Sequence, residues 1–130
     1  MVKVGRLKVK VMFSFEKLDV YQKARELVKD VYLLQQRFPK EERYELGDQI
    51  RRSVVSVTSN IAEGSGRDSY KEKIHFLEIA FGSLMETFSQ LQNAQDLGYI
   101  NVNEVENLRP KIEEVSKMIS GLNSSFEKKL

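Results

Sequence analysis

Apolar residues recur along most of this chain at alternating steps of four and three. Val20, Ala24, Leu27, Val31, Leu34 and Phe38 make the first run, and Leu46, Ile50, Val54, Val57 and Ile61 the second. Tyr70, Ile74, Leu77, Phe81, Leu84, Phe88 and Leu91 make the third, and Val105, Leu108, Ile112, Val115, Ile119 and Leu122 the fourth. An α-helix turns about 100° per residue, so this rhythm places each run on one face of one helix. It is also the rhythm of helices packed side by side. Such faces are stable only when buried against one another, so four of them within 130 residues point to one all-α domain.

Local signals set the expected boundaries. Asp19 is a candidate N-cap for the first helix, and Pro39 stops it. The second helix starts within 41–47, where "PKEERYELGD" offers several starts. Ser69 and Glu72 have capping-box spacing at the start of the third helix. Gly98, followed by Tyr99 and Ile100, predicts a left-handed glycine cap with an apolar clasp at its end. A continuous helix from 70 to 97 would be about 42 Å long. Asn101 and Glu104 repeat the capping arrangement for the fourth helix. Pro110 lies inside that helix, yet the apolar phase holds on both sides, which predicts a kink near Glu106–Pro110 without a break. Short connections force antiparallel neighbours, so residues 14–130 are expected to form an antiparallel up-down-up-down four-helix bundle. Residues 1–13, "MVKVGRLKVKVMF", alternate apolar and basic residues and read as a short strand or a disordered arm. Met12 is an alternative start for the chain.

The composition excludes several kinds of chemistry. There is no cysteine, which removes disulfides, thiolate catalysis and most structural zinc sites. His75 is the one histidine. It ends an E-x-x-H with Glu72, but a di-iron bundle needs two such motifs and two further carboxylates. A Ser-His-Asp site would need the same histidine, and nothing in the sequence places one around it. Glu63, Glu78 and Glu86 imply no cleft for paired acids. The stretch "SVTSNIAEGSGR", 56–67, holds a Gly-x-Gly but is fed by a helix and lacks the Lys-Ser/Thr of a phosphate loop. It reads as a helix C-cap at Gly64 followed by a turn. No apolar segment is long enough to span a bilayer or to serve as a leader. The expectation is a non-enzymatic cytoplasmic protein with no cofactor and no bound metal.

Two surface features remain. On the second helix, Gln49, Ser53, Ser56, Asn60 and Glu63 fall within a strip of about 80° beside the apolar face. Gly82 and Ser83 make a similar small step in the third helix. Small polar residues permit close helix contact, either inside the bundle or between subunits of a homo-oligomer. The charges also segregate. Of the 21 Lys and Arg, four lie in the head, which has no acid; the other 17 face 19 Asp and Glu, leaving −2 for residues 14–130. Bundle topology gathers Lys17, Arg67, Lys71, Lys73, Lys117, Lys128 and Lys129 at one end against six acids, and the head brings that end to +5. The opposite end is −3. Segregated charge reads as a solvated surface or as a phosphate-binding one. In the second case Arg67, Lys71 and Lys73, with Arg51, Arg52 and the head, are the candidate nucleic-acid contacts.

"FEKLDVYQKARELVKDVY", "LGDQIRRSVVSVTSNIAEGSGR", "FLEIAFGSLMET" and "LQNAQDLGYI" together resemble the bacterial four-helix-bundle proteins encoded in intervening sequences of 23S ribosomal RNA genes. The resemblance spans about residues 13–124, and Q-[IL]-R-R followed by S-N-I-A-E-G is its specific part. Where the family often has proline before the Ser-Asn pair, this chain has Thr58, so a family kink in the second helix is not carried over. The resemblance implies a non-enzymatic bundle in a ring-like homo-oligomer, a pentamer by analogy with relatives, and a link to RNA. A more distant resemblance is to the accessory protein of diversity-generating retroelements, which works with nucleic acid. A protein-interaction scaffold without any nucleic-acid role is the alternative expectation.

Overall fold

The computed structural model describes residues 2–4 and 7–9 as backbone and residues 12–130 in full. The basic side chains of the head, Lys3, Arg6, Lys8 and Lys10, lie outside the described residues. In that head, β1 (Val2–Val4) and β2 (Leu7–Val9) pair antiparallel, with Val2 opposite Val9 and Val4 opposite Leu7. Four helices follow: α1 (Asp19–Gln35), α2 (Leu46–Ser65), α3 (Tyr70–Asp96) and α4 (Val102–Glu127). Short 3-10 turns at Ser14–Lys17 and Lys40–Arg43 precede α1 and α2. Each helix packs on its sequence neighbours and α1 closes onto α4, contacts that fit the up-down-up-down order. The α2–α3 seam is the most extensive.

The apolar faces meet in one core. Leu27, Val31, Ile50, Val54, Val57, Leu84 and Val115 have no exposed surface. Phe38, just past α1, is buried and lies 5.7 Å from Tyr99 between ring centroids. At the expected last turn of the α1 face, Gln35 is the buried residue and Leu34 is half-buried. The helix ends at Gln35, four residues before Pro39, and the next turn brings Phe38 back to the core.

The third face also differs from its expected pattern. Phe81 is 37% exposed, while Ala80, Thr87 and Ala94 are fully buried. The three buried residues recur every seven positions; Ala80 and Thr87 each stand one position before a large apolar residue of the expected face, and Thr87 meets Ser53 of α2. Gly64 sits opposite in α2, where an added Cβ would lie 2.9 Å from the Cβ of Phe76.

The caps are mixed in outcome. Asp19 is the first helical residue of α1; Leu18 occupies the N-cap and gives no side-chain bond. Gly64 is not a C-cap. α2 runs through it to Ser65, and Gly66 closes the helix with right-handed backbone. The reason is the close approach of α3, which needs a residue without Cβ inside the last turn. Ser69 Oγ accepts from the Glu72 N–H at 3.1 Å, so one half of that capping box forms. Asn101 and Glu104 form both halves. Gly98 takes φ +80°, and Tyr99 N–H donates to Ala94 O at 2.9 Å while Gly98 N–H donates to Gln95 O at 3.0 Å. These are the two bonds of a Schellman cap, and Ile100 is buried beside it. α4 is continuous through Pro110. α2 is continuous through Thr58, whose hydroxyl donates to Val55 O.

Candidate nucleic-acid interface

The turn between α2 and α3 gathers Arg67, Lys71 and Lys73, and their side chains have different surroundings. Arg67, just past the end of α2, pairs back with Glu63 of its last turn at 2.7 Å. Its guanidinium also lies 4.7 Å from the centroid of the Phe76 ring. Lys73 Nζ donates to Ser65 O at 3.0 Å, satisfying a carbonyl at the end of α2. Lys71 is exposed and makes no side-chain hydrogen bond or ion pair among the described residues. Nearby, Lys129 lies over Tyr70, with Nζ 5.3 Å from the ring centroid. Tyr70 in turn packs on Phe126. Only part of the basic cluster thus presents unengaged charge.

Arg51 and Arg52 lie in the first turns of α2, at the other end of the bundle. Fifteen helical residues cover about 22 Å, so the fold does not bring Arg52 and Arg67 together. Arg51 is locked in place. It donates to the Asp48 carboxylate and to Gln35 Oε1, and its Nη2 donates to Arg43 O at 2.8 Å. It therefore ties α2 to α1 and to the loop between them. Gly47 beside it is buried, and a Cβ there would meet Gln35 Oε1 at 2.9 Å. Arg52 is 81% exposed and only 4.0 Å from Asp48. It borders a shallow cleft of about 230 Å³ with Tyr32, Asp48, Arg51 and Val55.

The polar strip of α2 faces α3. Ser53 Oγ lies 2.8 Å from Thr87 Oγ1, and Ser56 Oγ lies 2.8 Å from Ser83 Oγ. Gln90 Nε2 donates to Gln49 Oε1 at 3.0 Å. Asn60 Nδ2 donates back to Ser56 O at 2.7 Å. Gln49, Ser53 and Ser56 thus make contacts across the α2–α3 seam, Asn60 supports them, and Glu63 is used by Arg67. Gly82 differs from its neighbour Ser83: a Cβ there would meet nothing within 4 Å. Ile79 and Met85, three residues to either side of it, are 39% and 40% exposed.

The α1–α4 seam is held by charge instead. Lys111 Nζ donates to Asp30 at 2.7 Å and lies 3.7 Å from Glu26; Lys23 reaches Glu114 at 3.8 Å; Arg37 pairs with Glu104. The hydrogen bond to Asp30 raises the Lys111 pKa above its ordinary value, against the opposing effect of desolvation. The bond from Arg109 lowers the Glu106 pKa. Neither group belongs to the basic cluster.

His75 is exposed, with its ring edge-on to Phe76. Among the described residues, no group of three or more His, Asp or Glu side chains is arranged to hold a metal ion. Among the described residues, no helix is long and apolar enough to cross a membrane.

A family model described as 23S rRNA-intervening sequence protein matches residues 16–121. No curated protein matches the chain.

Proposed function

The chain belongs to the 23S rRNA-intervening sequence protein family, and on that premise we propose that it is a non-enzymatic bundle that acts as a homo-oligomer and associates with RNA through one basic end. The observation that carries this reading is the unengaged charge there. Lys71, Lys117 and Lys128 are exposed and make no ion pair among the described residues. A few charges on one subunit bind an RNA weakly. Several copies presented together bind by avidity, because later contacts form at high effective concentration. A pentamer in the cytoplasm is the form favoured. The open surface at Gly82, between exposed Ile79 and Met85, supports a subunit contact on α3.

Binding of this kind is driven by shape and phosphate charge. Lys71→Glu is the cleanest probe, since Arg67 and Lys73 also hold the α2–α3 turn. Fluorescence anisotropy with a structured RNA should show weaker binding and a shallower salt slope, by about one unit per lost phosphate contact. Unchanged affinity and slope would remove the basic-end site. A protein scaffold is the second reading, favoured by exposed apolar side chains at Tyr32 and Val55 on one side and Ile79, Phe81 and Met85 on another.

A further inference from the structure

We propose that the cleft between α3 and α4 binds a small organic ammonium ion, an apolar body carrying one protonated amine. The cleft measures about 240 Å³ and is lined by Leu77, Glu78, Phe81, Ile119, Ser120 and Asn123. Leu77 and Ile119 are core residues, so its floor is apolar. Phe81 lies outside the core, and its 37% exposure leaves ring surface available to the cleft.

Two of the three polar side chains that line it, Glu78 and Asn123, carry acceptors without a donor among the described residues; the third, Ser120, has a hydroxyl that both donates and accepts. Asn123 Oδ1 is the one buried side-chain polar atom without a hydrogen-bond partner among the described residues. Its orientation is fixed by chemistry. Asn123 Nδ2 donates to Glu127 Oε1 at 3.1 Å, and an ionised carboxylate only accepts, so the amide oxygen must point the other way. Glu78 and Glu127 are exposed and have no cationic partner among the described residues. A carbonyl without a donor, one uncompensated carboxylate in the lining and an aromatic ring match an ammonium group, which has three N–H donors, positive charge and affinity for a ring face. The apolar floor selects an organic cation over a hydrated metal ion, which needs oxygen ligands on several sides. The orphan oxygen is covered, so the amine reaches it by a shift of the Asn123 side chain at the cleft wall.

This inference stands apart from the RNA reading: Asn123 and Glu127 lie on the same end of α4 as Lys117 and Lys128, but none of Lys71, Lys117 and Lys128 takes part, and either reading can fail alone. The test is titration of the full chain with phenethylammonium, followed by amide chemical shifts, with phenethyl alcohol as the neutral counterpart. Saturable shifts centred on Leu77, Phe81, Ile119 and Asn123 are expected, with affinity at least about tenfold above that of the alcohol. Glu78→Gln, a surface change, should weaken binding about tenfold. Asn123→Leu should abolish it in a protein that still melts cooperatively. Equal binding of the alcohol, undiminished binding to Glu78→Gln, or absence of saturable shifts at these residues would each overturn the proposal.

Discussion

Gly64→Ala tests the close approach of α2 and α3 at a single atom. Carbon atoms pack optimally about 3.5–4.0 Å apart. The new methyl would stand 2.9 Å from Phe76 Cβ and 3.4 Å from Lys73 O. Both belong to the backbone or the root of a side chain, so no rotamer change relieves the clash and the helices must part. Overpacking of this kind costs about 1–3 kcal/mol. Replacing a helical glycine by alanine returns at most about 1 kcal/mol of propensity. The net loss expected is about 1–2 kcal/mol, or roughly 3–8 °C in Tm for a domain of this size. Gly82→Ala and Gly121→Ala are the references, because a Cβ at either meets nothing within 4 Å. Each should gain about 0.5–1 kcal/mol from propensity alone. Urea unfolding at matched protein concentration reads all three, with light scattering to separate any effect on assembly. A Gly64→Ala protein as stable as the parent would refute the packing argument. Loss of both stability and oligomer mass in Gly82→Ala would instead locate a subunit contact there.

Two further changes probe the seams. Ser53→Ala removes a buried hydroxyl that bonds Thr87 across α2–α3, and should cost about 1 kcal/mol in the same urea experiment; no measurable change would mean the pair adds nothing net. Lys111→Met removes the contact to Asp30 and Glu26 and should cost up to about 1 kcal/mol at neutral pH and low salt. The folded pKa of Lys111 is raised, so its contribution is fully present below the unfolded value and is lost as pH rises through the folded one. The stability gap between parent and Lys111→Met should therefore close in strongly alkaline solution and stay open between neutral pH and about 9; a gap independent of pH would show that the lost contact was packing.

The four helices, their order and three of their caps were legible because the signals are local. A four–three rhythm, an Asn-x-x-Glu box at Asn101, a Ser cap at Ser69 and a glycine at position 98 act within one or two turns of chain. The Glu63–Arg67 pair spans only four residues but was not expected from the sequence, since it depends on how the chain leaves α2 at Gly66. Contacts across space were not legible. Lys73 and Arg51 look like free charges in sequence, yet one satisfies Ser65 O and the other binds Gln35, Asp48 and Arg43 O. Gly64 resembles a helix stop until Phe76 is placed against it. Ala80, Thr87 and Ala94 escape a search for large apolar residues, although all three are fully buried and Thr87 bonds Ser53 of α2. Periodicity and capping are properties of one helix, fixed by backbone geometry. Which small side chain is crushed, which cation is spent and which carbonyl is stranded depend on the neighbouring helix, and only packing the four together decides them.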